Sequence, residues 1–341
     1  MENLYDSPLV SVIIPVFNTE KYVARAIESL IDQTYKNIEL LVINDGSTDN
    51  SHDEIMRLAD KAKKRFRRFC YRRRKNSGQA AAMNEGLEWA EGKYFSSMDS
   101  DDIFCKPALE ELVLAFEGLG DKYAAVFGDA FFIGKNGEKI YVRKDYSPAN
   151  KENGFGSFLE FHTAGRNIDY TNERVFGSYE TLLSGNYLPN NCRILKTGIL
   201  KKTVGWTNGC LAQDWGMWLN LSKEYKFLFI DKPLSLYRIH GANVTILQKK
   251  KIVYDSIDFI KRNKDFAFKS GLNGVYYETY VRLSARLMSY SLKDFLSVVF
   301  KNMFDFHFIK TFFKLAIHKY LKILKGRNPV RPLKEPEKLL N

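Results

Sequence analysis

At 341 residues, 45% hydrophobic and 14% aromatic, the chain can fill a sizeable core, which excludes global disorder. Its four cysteines (Cys70, Cys105, Cys192, Cys210) are scattered without CxxC pairs, so they read as reduced, packed thiols rather than a disulfide framework or a zinc site. All of the +12 net charge lies in the last 96 residues, where Ile246 to Asn341 holds 20 Lys and Arg against 8 Asp and Glu; the front has no general electrostatic preference, and the tail is suited to something anionic.

The first residues, MENLYDSPLVSV, lack a basic region followed by an apolar stretch, and no segment reaches the roughly 18 uninterrupted apolar residues that span a bilayer. The expected location is cytoplasmic. Leu9 to Ile14 is a short β-rich run stopped by Pro15 and reads as a buried parallel strand. Asn18 or Thr19 is placed to cap a following helix with Val23, Ala26, Ile27, Leu30 and Ile31 on one face. A second strand spans Ile38 to Ile43 and enters the polar turn Asn44-Asp45-Gly46-Ser47-Thr48-Asp49. A helix over 53–65, a strand near 69–71 and a helix over 79–90 follow. The strand Tyr94 to Met98 then runs into Asp99-Ser100-Asp101-Asp102. Strands alternating with helices predict a parallel sheet of βαβ units whose site lies at the strands' C-terminal ends. Both acidic turns fall there.

After Ala124 to Phe127 the pattern loosens, and 143–190 suits a long loop region lining a cleft. A helix starts at Gln213-Asp214-Trp215, a strand covers Lys226 to Ile230, and from about 246 everything reads as helix. The predicted division is 1–245 for the main α/β domain and 246–341 for a basic, helical C-terminal region.

Asp99 and Asp101, one residue apart at a strand end, would repel each other unless a cation lay between them. Mg²⁺ or Mn²⁺ suits such oxygen ligands and grips a diphosphate at the same time. A lone pattern of this kind also fits a solvated acidic turn; the preceding strand and the second acidic turn one βαβ unit earlier argue for a site. An EF-hand calcium loop fails because Phe104 stands where its glycine belongs. Neither GxGxxG nor GxxxxGK[ST] occurs, so the usual dinucleotide and P-loop alternatives are absent.

Together, VSVIIPVFNTEKYVARAIESLIDQTYKNIELLVINDGSTDNS, NSGQAAAMNEGLEWAEGKYFSSMDSDD, QDWGMWLNL and YRIHGANVT resemble the family 2 glycosyltransferases, over Val10 to about Thr245. The resemblance implies the GT-A fold, a Rossmann-like α/β architecture with a mostly parallel central sheet flanked by helices, here with a helical C-terminal extension. It implies an inverting hexosyl- or N-acetylhexosaminyl-transferase with a nucleotide-sugar donor, most often UDP-linked, and a saccharide or lipid-linked saccharide acceptor in cell-envelope assembly. Pro15 and Phe17 would embrace the nucleobase, Asp45 would hydrogen-bond it, and Asn76 would sit near the nucleoside. Asp99 and Asp101 would bind ribose and metal, with Asp102 in support. Asp214 would be the general base, although its place in the first turn also suits a helix cap. His240 would complete the metal shell, touch the diphosphate, or serve as a structural hydrogen-bonder. Two positions depart from the family pattern: Gln213, where Glu is frequent, and Met83, near which many members carry Arg.

Two basic features remain. Lys61 to Lys75 holds ten basic residues in fifteen; beside enzyme motifs it reads as an exposed helix-strand edge, not as a nucleic-acid reader. In the tail, His307, Lys310, Thr311, Lys314, His318, Lys322 and Lys325 share one side of a helical wheel. Phe306, Ile309, Phe312, Phe313, Ala316, Ile317, Tyr320, Ile323 and Leu324 fill the other. That pattern fits a helix lying on an anionic membrane surface, peripheral on the cytoplasmic face. It equally fits docking on the chain's own domain or on a second copy. The competing functional readings are a catalytically inactive nucleotide-sugar-binding scaffold and a nucleotidyltransferase.

Overall fold

The computed structural model describes residues 7–203 and 205–325, with side chains as far as Ile317. The reading of residues 1–6 and the wheel positions His318, Tyr320, Lys322, Ile323, Leu324 and Lys325 therefore lie outside the described side chains. The strands are β1 (Val10–Val16), β2 (Ile38–Asn44), β3 (Arg68–Arg73), β4 (Tyr94–Ser97), β5 (Ile103–Phe104), β6 (Tyr123–Ile133), β7 (Tyr141–Val142), β8 (Pro148–Ala149), β9 (Arg193–Lys196) and β10 (Lys226–Arg238). Eight form one sheet in the order β3-β2-β1-β4-β9-β6-β10-β5, and β7 with β8 makes a separate hairpin. The pairs β1–β2, β2–β3, β1–β4 and β6–β10 are parallel. Strand β9 is antiparallel to both its neighbours, as is β5 to β10.

Alternation along β1 divides the core. Val10, Val12 and Ile14 face a cluster under the helices Val23–Ile31, Ser51–Arg65 and Ala108–Glu117, while Ile13 faces the cluster on the other side. Pro15 is tolerated inside this strand because its missing N–H costs no ladder bond. The Ile13 carbonyl on that side bonds Met98 N, and pairing with β4 ends at Ile13 and Ser97.

The first helix forms where the spacing predicts, Val23–Ile31, with its five apolar residues buried. Its cap does not. Tyr22 holds the cap position without a side-chain bond. Asn18 Oδ1 instead accepts from Thr48 N, and Thr19 Oγ1 donates to Ser100 Oγ. Both side chains are spent joining three loops over the strand ends.

The stretch 143–190 carries more structure than its weak periodicity suggests. Short helices Phe158–Thr163 and Tyr179–Leu183 are N-capped by Ser157 and Ser178. Strand β9, which the sequence does not announce, sits in mid-sheet between β4 and β6.

Past β10 the described chain is helical, with its longer helices at Lys249–Arg262, Asn273–Leu287, Leu292–Lys301 and Phe306–Lys325. None of the helices among the described residues is long and apolar enough to cross a membrane. The helices behind residue 245 share one apolar cluster with the sheet, in which Val253, Ile257, Ile260, Tyr280 and Phe308 join Trp215 and Trp218. At the tightest point a Cβ on Gly216 would lie 2.4 Å from Phe259 Cε1. The helix Gln213–Leu221 can therefore lie flush on Lys249–Arg262 only because residue 216 has no side chain.

Candidate active site

The C-terminal ends of β1, β2 and β4 bring both acidic turns together, as the βαβ pattern requires. Asp99 follows β4, and its Oδ1 accepts from Gln79 Nε2 at 2.8 Å. Burial first, then repulsion from Asp101 and Asp214, push its carboxyl up to about 7. A divalent cation would relieve that strain by holding the carboxylates ionised. Among the described residues no three acidic, His or Cys side chains are already gathered around one metal position. The donor set of Asp99 and Asp101 fits a hard cation that takes its remaining oxygens from a diphosphate and water.

Asp102 and His240 take different places from those two. Asp102 is buried, with Oδ1 accepting from Arg238 N at 2.8 Å and Oδ2 from Asn191 Nδ2 at 2.9 Å. Both oxygens are used in anchoring the turn to β10 and to the segment before β9. His240 Nε2 lies 2.9 Å from Asp101 Oδ2, and Ala242 N donates to its Nδ1 at 3.2 Å. An imidazole that accepts at Nδ1 carries its proton on Nε2. In this arrangement His240 presents an N–H to Asp101 and orients that carboxylate. Tyr22 stacks on the imidazole, with ring centroids 4.9 Å apart.

Asp45 is almost fully buried and clamps the loop that carries Asn76. Its Oδ1 accepts from Arg74 Nε at 2.7 Å and Ser77 N at 3.0 Å, and its Oδ2 from Gly78 N at 2.7 Å. The turn of Asp45 and this loop touch through backbone, because a Cβ on Gly46 (φ +78°) would sit 2.7 Å from Asn76 N. Asn76 is exposed on this loop, and Phe17 stands 49% exposed just past buried Pro15. These residues share one rim of the sheet.

Asp214 lies in the first turn of Gln213–Leu221 but does not cap it; Ala212 holds the cap position. Its Oδ1 accepts from Trp206 Nε1 at 3.0 Å and its Oδ2 from Asn190 Nδ2 at 2.8 Å. The asparagine is itself fixed by Trp218 Nε1, 2.8 Å from Asn190 Oδ1. Burial raises the Asp214 carboxyl above its ordinary value, while Arg193 and the Trp206 bond oppose the rise. Gln213 Nε2 reaches Gln79 Oε1 at 3.3 Å, so a short amide chain links the helix that carries Asp214 to Asp99.

Arg193 is the site's unannounced member. It is buried in β9, donates Nη2 to Ser97 Oγ at 3.0 Å and lies 5.2 Å over the Trp218 ring. Among the described residues its Nε and Nη1 have no acceptor, and its charge bears on both Asp99 and Asp214. No periodic signal marks a lone arginine in a four-residue strand. Met83, by contrast, is packed into the core below this level.

The basic run ends as structural bonding. Arg65 donates to carbonyls of Ile31, Gln33, Tyr35 and Lys36. Arg68 pairs with Glu39 and Glu91, Arg72 with Glu85, and Arg74 with Asp45 and Glu85. Edge strand β3 is thereby lined with charge, which protects it from pairing with another sheet.

Residues 11–176 match the family described as Glycosyl transferase family 2. An uncharacterised glycosyltransferase of Rickettsia prowazekii is 30% identical over 246 residues, 72% of this chain and 68% of its own length. One of Haemophilus influenzae is 30% identical over 274 residues, 79% of this chain and 93% of its own. The solved S. aureus TarS 1-349 in complex with UDP-GlcNAc superimposes with a TM-score of 0.54 at 17% identity, covering 89% of this chain and 79% of that one. The mannosyltransferase from Pyrobaculum calidifontis in complex with GDP-Man and Mn²⁺ gives 0.55 at 15% identity, covering 96% and 90%. At these identities the two structures speak for the fold alone, which is the GT-A α/β fold with C-terminal helices.

Proposed function

The chain belongs to glycosyl transferase family 2, and from that premise we propose that it transfers a sugar from a nucleotide diphosphate donor to an acceptor hydroxyl with inversion. The observation that carries the reading is Asp214, a half-buried carboxylate fixed by two N–H donors, whose charge bears on Asp99. In a single displacement the acceptor oxygen bonds to the anomeric carbon as the carbon–oxygen bond to the diphosphate breaks. The hydroxyl proton passes to Asp214. Trp206 and Asn190 hold that base in one orientation, and Arg193 favours its ionised form.

Asp99 and Asp101 would hold Mn²⁺ or Mg²⁺, which when bound neutralises charge developing on the departing diphosphate. His240 and Asp102 support the pair from behind. Phe17 would cover the nucleobase, with Pro15 fixing the strand end beneath it. Asp45 would meet the base or shape the loop carrying Asn76 toward the nucleoside. The donor proposed is a UDP-sugar; of the two similar solved structures, one holds a UDP-sugar and the other a GDP-sugar.

We assign 1–245 to the chemistry and 246–341 to placement at the cytoplasmic face of a membrane, in cell-envelope polysaccharide or glycolipid assembly. The concentrated positive charge of the second part supports that assignment. The test is a thermal-shift panel of UDP- and GDP-sugars with and without Mn²⁺, followed by a donor-turnover assay. A bound donor at 100 times its Kd stabilises by about 2.7 kcal/mol. Turnover should release a nucleoside diphosphate. Release of pyrophosphate would make it a nucleotidyltransferase, and binding with neither hydrolysis nor transfer would make it a scaffold.

A further inference from the structure

Of the fifteen large apolar side chains that stand exposed among the described residues, ten lie between Met288 and Ile317. They are ordered by the helices that carry them. Leu292, Leu296 and Phe300 recur every four residues along Leu292–Lys301, and Phe306, Phe313 and Ile317 share one stripe of Phe306–Lys325. The turn between the helices adds Met303 and Phe304, the latter 93% exposed.

This surface is not the core-facing side of the helices. Phe295 and Phe308 are buried, and Val298, Ile309, Phe312 and Leu315 pack against the same cluster. The wheel's apolar side is thus split: Ile309 and Phe312 dock on the chain's own helices, while Phe306, Phe313 and Ile317 face outward. The turn is also pinned. Asn302 Nδ2 donates to Tyr280 Oη at 3.2 Å, and Asp305 accepts from Tyr277 Oη at 2.8 Å and Phe308 N at 3.0 Å. Phe304 is presented on a fixed corner.

Charge selects the occupant. Lys293, Lys301 and Lys310 are exposed around this corner. Nearby acids are already engaged, Asp294 by Tyr254, Asp305 by Tyr277 and Glu278 by Lys314. Two copies meeting through this face would set lysines against lysines, whereas anionic headgroups would complement them.

We infer that the Asn302–Asp305 corner and the outward stripes beside it enter the interfacial layer of an anionic lipid bilayer. This rests on the reading that the chain works at a membrane face and assigns the surface that does so. Aromatic and aliphatic side chains would sit at the headgroup–acyl boundary while the lysines meet lipid phosphates.

The test is flotation of the full chain with phosphatidylcholine vesicles and with vesicles holding roughly a third phosphatidylglycerol. Wild type is compared with F300S/F304S and with K301E/K310E. Wild type should float with the anionic vesicles and less so as salt rises, and each double variant should lower the bound fraction by about tenfold or more. Melting temperature and transfer to a soluble acceptor should stay unchanged. Equal flotation of all three proteins would overturn the assignment to this corner and leave membrane binding itself standing. Failure of wild type to float, or light scattering that shows a dimer split by F300S/F304S, would overturn the membrane reading too. The soluble transfer assay judges the glycosyltransferase reading separately.

Discussion

The strand ends of the sheet and the corner after residue 300 violate the usual partition of side chains in opposite directions. At the strand ends Asp45, Asp102 and Arg193 are buried with their charges, and each is spent on fixing another residue of the site. At the corner Phe300, Phe304 and Phe306 are bare to solvent on two packed helices and the turn that joins them. Buried charge and exposed aromatic surface are the two informative departures from ordinary burial. In the readings proposed above, the first shapes a site for a charged small molecule and the second meets an extended surface. Changes at the strand ends should therefore alter chemistry, and changes at the corner should alter location.

The largest effect belongs to Asp214→Asn. The amide keeps the shape and loses the proton acceptor, so kcat should fall by roughly 10²–10⁴-fold with donor binding and melting temperature retained. Steady-state turnover beside a donor titration checks this, and near-wild-type transfer would move the base elsewhere. Asp101→Ala comes next. With one carboxylate of the pair gone, the gain in nucleotide affinity that Mn²⁺ confers should disappear. Calorimetry with and without the metal measures that gain, and its survival would remove the metal assignment. His240→Ala should act in the same direction more weakly, by about 10–100-fold in metal affinity, if it acts through its contact with Asp101.

Arg193→Met should give a smaller and more diagnostic change. The base acts ionised, so the rate falls as pH drops through its pKa. Burial has already raised that pKa and Arg193 restrains it. Removing the cation lets it rise further, so the acidic limb of the kcat profile should move to higher pH. An unmoved limb would mean that the guanidinium braces Ser97 and Trp218 without reaching the base.

These predictions differ in how far the sequence foretold their residues. The runs Val10–Val16 and Ile38–Asn44 announce themselves because strands buried on both faces are continuously apolar. One acidic turn follows directly on Ile38–Asn44 and the other on the shorter strand Tyr94–Ser97. Strand β9 and Arg193 were illegible for the converse reason. Four residues with a charged one at each end carry no period, and only the assembled sheet supplies the burial. Asn18 and Thr19 misled because residues fit for capping are equally fit for tying loops together, and three strand ends lay within reach. Asp45 lies at the strand-end turn the sequence points to, yet its partners Arg74, Ser77 and Gly78 are set by the loop's fold.

The tail shows the same limit and leads to the smallest expected effect. A helical wheel treats a helix alone, so it separates lysines from aromatics but cannot divide the aromatics between those that dock and those that do not. Phe304, just before the helix, and Phe308, within its first turn, are four residues apart and 93% and 0% exposed. Phe308→Ala would leave a cavity against Tyr280 and should cost about 3–5 kcal/mol. Phe304→Ser removes a side chain that touches little of the protein, so stability should stay within about 0.5 kcal/mol of wild type. Denaturant melts of the two variants without lipid measure both. A large loss from Phe304→Ser would mean that the corner is covered in solution by the chain itself or by a second copy. A stability unchanged by Phe304→Ser, joined to lost flotation, would separate folding from location at a single turn of the chain.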